Sequence, residues 1–235
     1  MIYLYKIIFY QPILNTLVFF YNTIAFHDFG LAIIFTTLLV RIILYPLFHK
    51  GSHQNMVMQR LQPKIKKIQE THKDDKEKQS RALMDLYKEH GVNPFSGILL
   101  LVVQLPILIA LYQIVRSNLD ATVLGQLYPF VAMPGHINST FLGLINLSNK
   151  NIILVVLAAV AQYFQAKLAI YQVKGTEPSQ AQKIASQMVF IGPVVTIFIF
   201  YNFPAAVGLY WLISSAFSVL QQLLINKKLK ERYGE

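Results

Sequence analysis

The sequence contains no cysteine among its 235 residues. This absence excludes disulfide bonds, cysteine-based metal or redox sites and lipid attachment at a lipobox cysteine. The chain also lacks a glycine-rich phosphate-binding loop, a nucleophile elbow and an HExxH motif, which are the signatures of nucleotide hydrolysis, serine-type hydrolysis and zinc proteolysis. We therefore expect a protein that is not an enzyme and that needs no cofactor.

Charge is scarce as well, because charged residues make up 14% of the chain and hydrophobic residues 54%. A helix crosses the hydrocarbon core of a bilayer with about 20 mostly apolar residues. Runs of that kind occupy residues 29–49, 95–115, 152–171, 184–203 and 205–225, and Asn202-Phe203-Pro204 leaves only a tight turn between the last two. The sequence therefore predicts an all-α membrane protein with five transmembrane helices.

The basic residues are unevenly distributed, and their distribution predicts the topology. Residues 50–91 contain ten Lys or Arg, the 172–183 loop contains Lys174 and Lys183, and the tail contains Lys227, Lys228, Lys230 and Arg232. The 117–150 loop has only Lys150. Cytoplasmic loops of membrane proteins carry the excess of Lys and Arg, so we expect the N-terminus outside and the C-terminus in the cytoplasm. No cleavable signal or Arg/Ser-rich transit peptide is evident, which favours a bacterial plasma membrane.

Acidic residues are missing from every apolar run, although one run contains Arg41. Arg41 lies roughly 12 residues from one end of the 29–49 segment and 8 from the other, so its side chain does not easily reach either surface. An arginine at that depth costs about 2.5–3.5 kcal/mol on insertion scales. Water, neutral polar groups or a negative charge from a partner must offset this cost. The sequence thus predicts a wet cavity within the membrane that receives something acidic.

Other spans carry neutral polar side chains that could solvate Arg41. Thr37 and Tyr45 lie one turn before and after it on the same helical face. Each polar residue alone is more often an interhelical hydrogen-bonding group, but together they favour a shared hydrophilic groove. Besides Thr37 and Tyr45, the candidates are Gln104, Gln162, Gln165, Trp211, Ser214, Ser215, Ser218 and Gln222.

The N-terminal segment, residues 1–28, is aromatic and apolar and is interrupted by Pro12. Gln11, Asn15 and Asn22 form a narrow polar stripe, which predicts an amphipathic helix lying in the membrane interface. An additional span over residues 7–26 is the alternative. We expect this segment to form one unit and residues 29–235 to form the core.

Residues 50–91 predict a charged helical hairpin outside the bilayer. Leu61, Ile65 and Ile68 recur at helical spacing, as do Leu83, Leu86, Tyr87 and His90. Pro63 is expected to begin or kink the first helix. Asp74 with Glu77 resembles a capping box, and Gly91 followed by Asn93-Pro94 predicts the end of the second helix.

Several strings together resemble the YidC/Oxa/Alb membrane protein insertases, in particular a short bacterial form. The likeness covers nearly the whole chain. It rests on YQPILN near the start, the arginine followed by YPL, the charged hairpin, QLPILIALY, QYFQAKL and NFPAAVGLYWLISSAFSVLQQ. The resemblance implies five spans around a groove that is open to the cytoplasm and to lipid and closed to the outside.

The resemblance also implies roles for particular residues. Arg41 matches the groove arginine of the family, Thr37 its polar neighbour, and Tyr210 with Trp211 an aromatic pair in the last span. Ser215 stands where most relatives have Asn. The expected function is insertion and folding of short membrane proteins. Expected partners are nascent or newly made membrane proteins and the lipid bilayer, with the ribosome, the signal recognition machinery and the general secretion channel as further candidates.

Two other functions stay open at this point. A small anion channel or solute transporter could use Arg41 as its anion site, and an assembly chaperone could hold spans while they pack. His49 and His53 are spaced one helical turn apart, but no clear third ligand is nearby, which argues against a metal site.

Overall fold

The structure is a computed structural model that describes residues 2–93, 96–117, 119–135, 137–170 and 180–233. Most of these residues are helical. In chain order the elements are α1 (Ile2–Tyr5), a π-helical turn (Lys6–Tyr10), α2 (Gln11–Asn22), α3 (Phe29–Ile43), α4 (Tyr45–Arg60), α5 (Gln62–Thr71), α6 (Lys76–Glu89), α7 (Ser96–Arg116), α8 (Ala121–Leu124), β1 (Thr140–Phe141), β2 (Ile145–Asn146), α9 (Ile152–Ala169), α10 (Gln180–Phe200) and α11 (Ala205–Tyr233).

Two helices in the described part of the chain are long and apolar enough to cross a membrane, namely Ile152–Ala169 and the Ala205–Lys227 portion of α11. A third span results if α3 and α4 count as one broken segment. Val102–Arg116 and Val189–Phe200 are shorter apolar helices. The chain is therefore a mostly helical membrane protein with two to three apolar spans by length and composition, and the number five remains a prediction.

The segment predicted as one span over residues 29–49 is divided between two helices. α3 ends at Ile43, α4 begins at Tyr45, and the two helices are bent by 64° at Leu44. Pro46 lies in the first turn of α4. Its ring has no backbone N–H and crowds the carbonyl four residues earlier, which favours a kink or a break in the helix at this point.

The predicted hairpin forms, but its boundary and its cap differ from the prediction. α4 runs across the expected start at residue 50, and Pro63 begins α5 rather than kinking it. The N-cap of α6 is Asp75, not Asp74, and its carboxylate accepts a hydrogen bond from the backbone N–H of Lys78 at 3.0 Å. This bond and the neighbouring Lys78 side chain lower the pKa of Asp75 below its ordinary value.

Apolar packing between α5 and α6 follows the predicted periodicity. Leu61 and Ile65 are buried against Leu86, and Val92 completes the cluster. Ile68, Leu83 and Tyr87 pack around it. Pro94, most of the 172–183 loop with Lys174, and the side chains of Lys183, Lys228, Lys230 and Arg232 lie outside what the structure describes, so the expectations placed on them are not addressed.

The N-terminal helix shares its apolar core with the rest of the bundle. Leu14, Leu17 and Val18 are almost fully buried in the same cluster as residues of α3, α7 and α11. Two residues of the predicted polar stripe form hydrogen bonds within the protein. Asn15 accepts from the N–H of Tyr128 at 2.5 Å, and Asn22 donates to the carbonyl of Ala132 at 2.7 Å. These bonds hold the segment after α7 along the N-terminal helix.

Residues 138–149, which we call the cap segment, hold together the starts of α3 and α11. Asp28 caps α3 through the N–H of Leu31 at 2.8 Å and also accepts from the N–H of Leu142 at 2.5 Å. At the other side, the N–H groups of Ala205 and Ala206 donate to carbonyls of the cap segment at 2.7 and 3.0 Å. The first free N–H groups of α11 are thereby satisfied.

The last three long helices pack against one another, and the tight turn predicted at Asn202-Phe203-Pro204 is present. α11 lies close to α9 at Gly208, where an added Cβ would lie in ordinary van der Waals contact with Leu154, at 3.5 Å. Phe200 meets the Trp211 ring edge-on at 5.2 Å between centroids. This packing sets the orientation of α9, α10 and α11, whose inner faces carry polar side chains.

Candidate functional site

A cavity of about 300 Å³ lies between α3, α4, α7, α9 and α11. Its apolar lining consists of Phe48, Leu100 and Ala169, and every other lining residue carries a polar group. None of the described lining residues is acidic. The polar members are Arg41, Ser52, Asn55, Gln104, Gln162, Gln165, Trp211, Ser214, Ser215, Ser218, Gln221 and Gln222.

Arg41 lies in the last turn of α3, and its side chain reaches this cavity. The residue is only 7% exposed, and its Nη1 atom has no hydrogen-bond partner among the described residues. The guanidinium carbon lies 4.5 Å from the centroid of the Phe48 ring. A cation over an aromatic face gains about 0.5–2 kcal/mol, which offsets only part of the cost of burying the charge.

The helix that carries Arg41 offsets a further part of the cost of burying its charge. A helix C-terminus has a partial negative charge that favours a cation in the last turn, and α3 ends two residues after Arg41. The ion pairs described for this chain lie in the charged hairpin, at Lys66–Glu70, Lys78–Asp75 and Arg81–Glu77. Arg41 is therefore held by an aromatic face and dipoles rather than by a carboxylate of the described chain.

Gln162 joins three helices at the wall of the cavity. Its Oε1 accepts from the hydroxyl of Thr196 on α10 and, at 3.4 Å, from Nε1 of Trp211 on α11. An indole N–H only donates, so this contact fixes which end of the amide faces Trp211. The side chains of α9, α10 and α11 are thereby locked in one arrangement.

Gln104 is held in a similar way on α7. Its Nε2 donates to the hydroxyl of Tyr210, a residue of α11 that is only 4% exposed. Tyr210 does not line the cavity itself. It acts on the cavity through the orientation of Gln104.

Amide side chains also tie α4, α9 and α11 together around the C-terminal end of α9. Gln59 Nε2 donates to the carbonyl of Ala169 at 2.9 Å, and Asn226 Nδ2 donates to the carbonyl of Leu168 at 3.1 Å. Gln221 Nε2 donates to the carbonyl of Tyr45 at 3.3 Å. The carbonyls of Leu168 and Ala169, which the C-terminal end of α9 leaves free, are thus satisfied by side chains.

The structure brings most of the predicted site residues to one cavity. Those that line it are Arg41, Gln104, Gln162, Gln165, Trp211, Ser215 and Ser218. Thr37 does not join them, because its hydroxyl donates to the carbonyl of Ile33 at 2.7 Å, one turn earlier in α3. Thr37 and Tyr210 instead face a small apolar space that also contacts Ile13 and Ile33. Thr37 therefore does not line this cavity in the described part of the chain, and a role for it in the groove stays a prediction.

Sequence reasoning did not select several lining residues. Phe48, Ser52 and Asn55 on α4 were missed, together with Gln221 on α11. The sequence does contain a pattern that indicates a shared helical face. Phe48, Ser52 and Asn55 follow spacings of four and three residues, as Trp211, Ser215 and Ser218 do. Ser214 and Gln222 were noted as polar neighbours and also line the cavity. Within the described residues, no group of three His, Asp or Glu side chains could hold a metal ion.

Comparison with known proteins shows which family the sequence of this chain resembles. A family model described as 60Kd inner membrane protein matches residues 19–232. The membrane protein insertase YidC of Geotalea daltonii is 35% identical over 221 residues, which cover 93% of this chain and 37% of that protein. The insertases YidC of Geobacter sulfurreducens and Francisella philomiragia are each 33% identical, over 93% and 85% of this chain.

These relatives are considerably longer than the present chain, which spans 37% of the Geotalea and Geobacter proteins and 33% of the Francisella protein. The matched region includes α3, α7, α9 and α11 and hence the whole described lining of the Arg41 cavity. Since the family model matches most of the chain, this membrane protein belongs to the 60Kd inner membrane protein family.

Proposed function

We propose that this chain is a membrane protein insertase that also assists folding, and that the Arg41 cavity is the centre of its polypeptide-binding groove. The observation that carries the proposal is the buried guanidinium of Arg41, which is 7% exposed and meets a mostly polar lining that contains no acid among the residues the structure describes. A permanently cationic side chain in such a site attracts an acidic or polar segment brought by another molecule. Relatives of this chain are named as insertases, which supports the same function.

The proposed topology has five spans, with the N-terminus outside and the C-terminus in the cytoplasm of a bacterium. The ten basic residues of the 50–91 hairpin support this orientation, because cytoplasmic segments carry the excess of Lys and Arg. α4 continues from the charged hairpin to Phe48 at the cavity wall. A groove that opens to the cytoplasm therefore receives polypeptide from the side on which it is synthesised.

The proposed mechanism begins when an acidic tail of a short membrane protein enters the groove. Arg41 attracts the tail at a low effective dielectric, while amides and hydroxyls of the lining replace part of its hydration. The apolar span of the substrate then moves sideways into lipid, and each buried methylene contributes about 0.8 kcal/mol. The membrane potential assists an acidic tail, since one elementary charge gains about 2.3 kcal/mol per 100 mV. No covalent step is needed.

The proposed partners are nascent or newly made membrane proteins and the lipid bilayer. The ribosome, the signal recognition machinery and the general secretion channel are candidates for delivering substrates to the basic cytoplasmic segments. A solute channel that uses Arg41 as an anion site is the competing function, and the same reconstituted membranes test both.

The experiment uses liposomes that contain the purified full chain. One assay follows protease protection of a single-span substrate with an acidic tail, and a second follows chloride flux in the same preparation. Substrate protection without chloride flux supports the insertase. Flux without protection would refute it in favour of the channel. Arg116→Ala is the matched control, because Arg116 is exposed at the end of α7 and bonds to Tyr112 rather than lining the cavity.

A further inference from the structure

Arg41 requires a counter-charge that the described part of the chain does not supply. A guanidinium stays protonated in proteins, so Arg41 cannot become neutral as a buried lysine or histidine would. Its contacts are an aromatic face at 4.5 Å and the end of α3, which provide only partial charges. The cavity beside it is lined by neutral amides, hydroxyls and one indole.

The amide oxygens of the cavity do not act as a substitute for an acid. Oε1 of Gln162 is occupied by the hydroxyl of Thr196 and the indole of Trp211. Gln104 is oriented by the bond that its Nε2 donates to the hydroxyl of Tyr210, and no oxygen of the described residues accepts from Nη1 of Arg41. If a carboxylate or amide of the described residues bound the guanidinium through Nη1, that atom would have a hydrogen-bond partner.

We infer that the cavity binds a monovalent inorganic anion beside Arg41, with chloride as the physiological ion. A water molecule takes up about 30 Å³, so a cavity of about 300 Å³ has room for a halide that keeps part of its hydration shell. The bound anion neutralises the guanidinium, while amide and hydroxyl groups replace the waters it has lost. The ion is exchangeable, because Arg41 is the single cationic residue in the described lining.

This inference deepens the proposed function, because an acidic tail would displace the anion when it enters the groove. Exchange of one anion for another keeps Arg41 neutralised throughout, so the charge is never buried without a partner. Binding of the halide itself does not require a polypeptide. It therefore allows a test that does not depend on insertion activity.

Trp211 provides the probe, because it is the single tryptophan of the chain and lines the same cavity as Arg41. Iodide quenches indole fluorescence on contact. We expect iodide added to the purified full chain at constant ionic strength to give a saturable component of quenching. Chloride should remove that component by competition. Acrylamide, a neutral quencher, reports the general access of the indole and should show no saturation.

Variants identify the residue responsible. Arg41→Gln should lose the saturable component, Arg41→Lys should keep it, and Arg116→Gln, which removes an exposed charge outside the lining, should behave as the unaltered chain. Linear iodide quenching in the unaltered chain that chloride does not relieve would overturn the anion site. Saturable quenching that persists in Arg41→Gln would also overturn it. Neither result bears on substrate protection in liposomes, so the anion site and the insertase function fail separately.

Discussion

Gly30 is the position at which a single added methyl group should most directly disturb the cap segment. A Cβ at residue 30 would lie 2.1 Å from Cδ2 and 2.6 Å from Cβ of Phe141. Carbon atoms in contact normally lie about 3.5–4.0 Å apart. Because Phe141 Cβ is directly attached to the backbone, turning the ring does not relieve the clash. Gly30→Ala therefore requires the β1–β2 hairpin to move away from α3.

Two opposing effects set the magnitude of the change. Overpacking of a close contact costs about 1–3 kcal/mol, and the contact at 2.1 Å argues for the upper end of that range. Alanine is favoured over glycine within a helix by about 1 kcal/mol. The expected net loss is about 2 kcal/mol, which corresponds to a Tm lower by about 4–8 °C for a chain of this size.

The assay is thermal unfolding of the detergent-solubilised chain, and Phe141→Gly supplies a double-mutant cycle. In the Phe141→Gly background, Gly30→Ala should become neutral or stabilising, because Cβ, Cγ and Cδ2 of residue 141, the three atoms that the new methyl meets, have been removed. A coupling of more than about 1 kcal/mol is expected for such contacting residues. An unchanged or higher Tm for Gly30→Ala alone would refute the proposed contact between α3 and the cap segment.

Three further predictions concern single hydrogen-bonding groups. Because the pKa of Asp75 is lowered in the folded chain, its carboxylate stabilises the start of α6 at any pH above the ordinary carboxyl pKa of 3.8. This stabilisation is lost as the pH falls through the lower folded-state pKa. Hydrogen exchange of the Lys78 amide should therefore depend on pH below 3.8, and Asp75→Asn should abolish that dependence. Asn15→Ala should lower the free energy of unfolding by about 1–2 kcal/mol. Asn15→Asp should lower it at least as much, because the carboxylate keeps the acceptor for Tyr128 but buries a charge and loses the donor to the carbonyl of Gln11; an unchanged stability for either variant would contradict this assignment. Gln162→Leu should shift the tryptophan emission to shorter wavelength and cost about 1 kcal/mol, and an unchanged spectrum would argue against the hydrogen bond to the indole.

The local features of the charged hairpin were predictable because they depend on neighbours in the sequence. Leu61, Ile65 and Leu86 recur at helical spacing and pack as expected. The bend at Leu44 was missed because the apolar composition continues through it, although Pro46 carried the necessary signal. The cap of α6 was placed one residue early, since adjacent aspartates offer two alternatives and only the backbone geometry selects Asp75.

The residues of the cavity were predictable where they lie on a long apolar helix. A polar group such as Gln104 or Ser215 stands out against that background and does line the cavity. Ser52 and Asn55 do not stand out, because they lie at the start of the charged 50–91 stretch that the sequence assigns to the cytoplasm. Their approach to Arg41 depends on the 64° bend between α3 and α4, which is a tertiary feature. Helical spacing places Thr37 on the face of Arg41, but it does not tell how far the cavity extends along α3.

The most direct test of electrostatic capture by Arg41 crosses the charge of the protein with the charge of the substrate. Arg41→Ala and Arg41→Lys are reconstituted in liposomes and compared on two single-span substrates that differ only in an acidic or a neutral tail. Hydrogen bonds to a charged group contribute about 1.5–3 kcal/mol, so Arg41→Ala should slow insertion of the acidic substrate by about ten- to hundredfold. The neutral substrate should change by less than about threefold, and Arg41→Lys should lie between Arg41→Ala and the unaltered chain. Equal losses for the acidic and the neutral substrate would contradict the account.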